Sequence, residues 1–126
     1  MNLKTVNDQE LLTFSKTKAQ AERNLTLEII EILQEIRNRR LHLKRGFSSL
    51  HEYCVQELKY SDGAAHRRLK AMKLVEENPD VIKSIESGAL SLTVASQLQV
   101  AFEAKEKSLK ASASKMLGNS PAKFVL

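Results

Sequence analysis

Four side chains within eight residues, His66, Arg67, Lys70 and Lys73, have the types and spacing to bind a polyanion. At i, i+1, i+4 and i+7 they share one side of an α-helix. Guanidinium and ammonium groups there would displace counterions from phosphates, and donors near the helix start would reach base edges. Ser61 is a good N-cap for such a helix, and Asp62 puts a negative charge in its first turn, where it suits the dipole. Gly63 costs a helix about 1 kcal/mol relative to alanine, so it either admits a phosphate or base closely or is tolerated near an end. His66 reads as a base or phosphate contact or as a solvated helical histidine. Arg67 and Lys70 likewise read as DNA contacts or as plain surface charges. Arg68 falls nearer the buried flank, within reach of Glu57 or Glu52.

The charge distribution favours the polyanion. Residues 37–73 hold ten Lys and Arg against Glu52, Glu57 and Asp62, a net +7, whereas the other 89 residues sum to −2 and the whole chain to +5. Polyanion binding predicts such a concentration; a solvated basic surface is the alternative. Arg37, Arg39 and Arg40 could simply complement a helix C-terminus. The sharper reading makes Arg37, Arg39, Arg40, Lys44 and Arg45 a phosphate grip beside the reading helix.

Other chemistry finds little support. No Ser/His/Asp or Cys/His pairing stands out, and Glu28, Glu31 and Glu35 read as a solvated helix face. His42, His51 and His66 lack Cys pairs or an Asp/His cluster at ligand spacing. No catalytic residue, metal, cofactor or small-molecule substrate is expected. Cys54, the one cysteine, falls on an apolar helix face and reads as a small core residue in a reducing compartment. No apolar run reaches the ~18 residues of a membrane span and no signal-peptide core is visible, so a cytoplasmic, nucleoid location is expected.

The elements that must position these residues are helical. Aromatic content is 5%, with no Trp, two Pro and four Gly, which suits a Leu/Ile/Val/Ala core and argues against a many-turned β fold. The expectation is a single all-α domain over 1–126, a multi-helix bundle. A long helical segment over 8–45 starts at Asn7 with Glu10, followed by an apolar patch of Leu11, Leu12 and Phe14. It is either one helix or two with a soft joint near Arg23-Asn24. Leu25, Ile29, Ile32, Leu33 and Ile36, widened by Leu27 and Ile30, form so broad a stripe that it packs on the C-terminal helices or pairs with a second copy, giving a homodimer through residues 25–36.

A helix-turn-helix is expected over 49–75. Ser49 with Glu52 makes a capping box, and Leu50, Cys54 and Leu58 face the core. Lys59-Tyr60 forms the turn, and Ala65, Leu69 and Met72 line the second helix's inner side, which ends at Leu74-Val75. Supporting helices follow over 78–118. Asn78 caps one with Pro79 at N1, Val81, Ile82 and Ile85 inside and Gly88 as its stop. Ser91 caps the next, with Leu92, Ala95, Leu98 and Phe102 buried. Residues 119–126 read as a loose tail.

The runs GFSSLHEYCVQELKYSDGAAHRRLKAMKLV and NPDVIKSIESGALSLTVASQL, with ERNLTLEIIEILQEIRNRRLHLKRG upstream, resemble the helical N-terminal region of bacterial HNH endonuclease-type proteins. The helix-turn-helix with VIKSIESGALSLTVASQL is also similar to the DNA-binding core of ParB-type partition proteins. The resemblance covers residues 8–103 and rests on SLHEYC, YSDGAAHRRL and ESGALSLTVASQL in that order. It implies double-stranded DNA as partner and no nuclease activity, since no HNH module follows in this chain. Such regions usually carry glycine at the turn, where Lys59 stands here. A helical interaction module without DNA binding, and a truncated metal-dependent nuclease, are the competing readings.

Overall fold

The computed structural model describes residues 2–117. These form a 3-10 turn at Leu3–Thr5 and six α-helices: α1 Asp8–Asn38, α2 Leu41–Lys44, α3 Leu50–Gln56, α4 Asp62–Glu77, α5 Val81–Ser87 and α6 Leu92–Met116, with no strand among the described residues. The all-α multi-helix expectation holds; the 119–126 segment lies outside the described residues.

Short polar side chains set most helix starts. Asn7 Oδ1 accepts from Glu10 N at 2.8 Å, Ser49 Oγ from Glu52 N at 3.0 Å, Ser61 Oγ from Ala64 N at 3.1 Å and Ser91 Oγ from Val94 N at 3.1 Å. Each satisfies an amide that the first helical turn leaves without a partner. The Glu52 half of the expected capping box is displaced by one residue: its carboxylate takes the Ser48 amide and hydroxyl, not Ser49.

α1 runs unbroken through Arg23-Asn24. Arg23 instead clamps α5: its Nε and the Gln20 amide both donate to Glu86 O, at 3.2 and 2.8 Å. Gly88 ends α5 with φ +86°, as expected, and the Arg23 guanidinium lies 3.2 Å from where a Cβ would stand there. The cation thus sits at the negative end of α5.

Ile30 and Leu33 of α1, Leu50 and Cys54 of α3, Ala65, Ala71, Met72, Leu74 and Val75 of α4, Ile85 of α5 and Ala95 of α6 make the core. α4 is its centre, packed on α6, α1 and α3. Several boundaries differ from the sequence reading. The helical segment over 8–45 breaks at Arg39 and at Arg40, whose φ of +55° is left-handed, and resumes only as short α2. α3 stops at Gln56, leaving Leu58 exposed. α4 continues to Glu77, because Leu74 and Val75 are core residues whose burial holds the last turn. Asn78 serves as the α4 C-cap and α5 begins only at Val81, so Pro79 sits in the turn and not at N1. Ile82 and Phe102 stay exposed, while Ser96 and Gln99 take the buried side of α6.

Candidate nucleic-acid interface

α3, the connection over 57–61 and α4 carry the residues singled out in the sequence. Lys59 has φ +66°, a left-handed backbone that a side chain makes costly; this is where the resemblance leads one to look for glycine. Tyr60 N returns to Cys54 O at 3.1 Å, closing the elbow. Arg68 stacks on the Tyr60 ring, 4.4 Å from its centroid, and donates to Ala64 O at 3.0 Å. It therefore braces the elbow and pairs with neither Glu57 nor Glu52. Phe47 packs edge-on to Tyr53, centroids 5.5 Å apart, which seats α3 on the turn before it.

Along α4, Ser61 is engaged as cap, and Asp62 is exposed with Oδ1 3.2 Å from His51 Nε2. The Arg67 guanidinium folds back over Gly63, its Nη1 3.2 Å from where a Cβ would sit, so the glycine leaves room for that arginine. His66 and Lys73 are exposed and Arg67 is half-buried. Lys70 departs from the expected solvent-facing set. Its ammonium donates to both Glu103 oxygens of α6, at 2.6 and 3.0 Å, with only 24% of the side chain exposed. The Lys70 hydrogen bond holds the Glu103 carboxyl below the ordinary carboxylate range. Nearly two turns on along α4, Arg37 of α1 grips Glu76 with both terminal guanidinium nitrogens, which lowers Glu76 likewise and raises Arg37. Lys73 stands close enough to lower both carboxyls.

Two concavities flank the exposed His66. One, of about 290 Å³, is floored by Leu50, Leu69 and Met72 and rimmed by Arg37, His51, Lys70 and Lys73. The other, of about 400 Å³, lies between α4 and α6 and joins Arg67 to Thr93, Ser96, Gln97 and Val100. Thr93 and Gln97 escaped the sequence reading, although their i, i+4 spacing on α6 is a visible polar face. Glu76 and Glu103 escaped it too, and no local spacing signals partners more than thirty residues away.

Arg39, Arg40, Lys44 and Arg45 lie at the end of α1 and around α2, outside both linings. Arg39 pairs with Glu35 at 3.2 Å and Arg45 with Glu57 at 3.4 Å, both on the surface, where such pairs are worth little. Of the ten cations in 37–73, four thus face a carboxylate. Arg40, Lys44, Lys59, Arg67, Arg68 and Lys73 have no carboxylate within 4.0 Å among the described residues. Cys54 is fully buried, and burial pushes its thiol up, the opposite of what a nucleophile needs. Among the described residues no group of His, Cys, Asp or Glu could hold a metal, and no helix is long and apolar enough to cross a membrane. No family model matches the chain, and no curated protein or solved structure is significantly similar to it.

Proposed function

We propose that this chain is a non-enzymatic double-stranded-DNA-binding protein in which α3 and α4 act as a helix-turn-helix. The single observation carrying the proposal is the +7 of residues 37–73, six of whose cations have no carboxylate within 4.0 Å among the described residues. Affinity would come mainly from Arg40, Lys44, Arg67 and Lys73 replacing counterions at phosphates. His66, with Ser61, Asp62 and Gly63 at the start of α4, would face the groove, as the first half of a second helix does in this docking mode. The resemblance to the helical part of HNH endonuclease-type proteins and to the ParB-type core supports the same reading, which would place the protein at the nucleoid. Fluorescence anisotropy with random duplex DNA tests it: Arg67→Glu with Lys73→Glu abolishes binding while helicity stays. Full affinity in that double variant overturns the proposal.

A second reading, a helical self-association module without DNA binding, is favoured by Leu25 and Ile32, which stand 56% and 57% exposed on α1. Light scattering beside the anisotropy measurement separates the two.

A further inference from the structure

The apolar stripe of α1 is divided by the fold. Ile30 and Leu33 are spent inside the monomer, while Leu25 and Ile32 point outward. The outward pair belongs to a longer strip. Leu11, Phe14, Lys18, Ala21, Leu25, Glu28, Ile32 and Glu35 recur at alternating three- and four-residue steps, the a and d positions of a heptad seam. From Asp8 to Ala19 every side chain except half-buried Phe14 is exposed, so nothing among the described residues covers that half of the helix. A bare helical segment of this length is marginal in water. Beside it, Leu3, Leu11, Leu12 and Phe14 line an apolar concavity of about 630 Å³.

We infer that α1 pairs with α1 of a second copy of this chain, antiparallel, about a two-fold axis at residue 23. That register sets Phe14 against Ile32 of the partner subunit, Ala21 against Leu25 of the partner subunit and Lys18 against Glu28 of the partner subunit. The uncovered first half of each α1 then lies on the strip that the other copy's second half exposes. Charge selects the direction. Glu28 and Glu35 lie within the seam and Glu31 beside it in the second half of α1, and Lys18 is the cation within it in the first half. A parallel, in-register pair would face each glutamate with its own copy and Lys18 with Lys18. The antiparallel pair brings Lys18 to Glu28 twice by symmetry, and neither has an ion-pair partner among the described residues. Each a position also meets a d position of the other helix in every layer. The inference is independent of DNA binding: a dimer that ignores DNA refutes only the DNA reading, and a DNA-binding monomer refutes only this one.

The test is light scattering on the full chain with its variants. The wild type runs at twice its 14.2 kDa mass, and Leu25→Lys with Ile32→Lys runs as a monomer of unchanged helicity. Lys18→Glu or Glu28→Lys alone raises the dimer Kd several-fold, and the two together restore it. Mixing Phe14→Cys protein with Ile32→Cys protein yields a disulfide-linked heterodimer on oxidation, with buried Cys54 no competitor. Ile32→Cys alone does not crosslink, because eighteen residues of helix, about 27 Å, separate positions 14 and 32. A wild-type monomer, whether the strip is bare or covered by other residues of the same chain, overturns the inference. So does a double charge swap that behaves like the singles, or an Ile32→Cys homodimer.

Discussion

Lys44→Gln with Lys73→Gln gives the most quantitative check on the proposed DNA contacts. Both lysines are exposed and neither has a carboxylate within 4.0 Å among the described residues, so removing their charge leaves the core and the helix caps intact. Each phosphate contact contributes about 0.9 to the slope of log K against log salt. Four contacts, from Arg40, Lys44, Arg67 and Lys73, give a slope near −3.6 per protomer, and the double variant should fall to about −1.8. The lost factor scales as salt to the same power, about 60-fold at 0.1 M and about 18-fold at 0.2 M. Lys70→Gln is the internal control, since Glu103 already neutralises that ammonium, and its slope should stay within about 0.3 of wild type. The assay is fluorescence anisotropy with a labelled random duplex, titrated between about 50 and 200 mM salt. A wild-type slope near zero, or a double variant whose slope matches wild type, refutes the reasoning.

Three other outcomes follow from the packing. Glu76 and Glu103 are more acidic folded than unfolded, through hydrogen bonds from Arg37 and Lys70; such groups stabilise above the unfolded carboxyl value and cease to as pH falls through the folded one. Glu76→Gln with Glu103→Gln should therefore lower the urea midpoint at pH 7, and its deficit should close below the ordinary carboxylate range; a deficit that persists in acid contradicts it. Lys59→Gly should raise stability by about 0.5–1 kcal/mol by relieving the +66° φ, measured by urea unfolding, and a loss would show that the elbow carries no strain. Leu33→Ala, at a fully buried α1 position, should cost about 2–5 kcal/mol in the same assay, and a cost below 1 would mean α1 is not part of the cooperative core.

Helix class and most helix starts were legible in the sequence because their causes are local. Asn7, Ser49, Ser61 and Ser91 each cap the amide three residues on, and Gly88 stops α5 with a left-handed backbone. Asn78-Pro79 misled for the converse reason: the same residues suit a helix start and a turn between helices, and the burial of Leu74 and Val75 decided for the turn. At the candidate site, the outward position of His66 and Lys73 followed from α4 periodicity. The fate of Lys70 did not, because it depends on Glu103, thirty-three residues away on a helix whose crossing of α4 no local spacing encodes. Ser96 and Gln99 are buried for the same reason, by the side of α6 that meets α4.

The clamp of Arg23 and Gln20 on Glu86 O has a bearing on how the molecule assembles. α5 spans seven residues, too few to persist alone, and sixty-odd residues of chain separate it from the side chains that satisfy its last turn. Its amides therefore report on α1 rather than on α5 itself. Hydrogen exchange there should keep pace with undocking of the first helix, making this short segment the molecule's own gauge of whether α1 is seated.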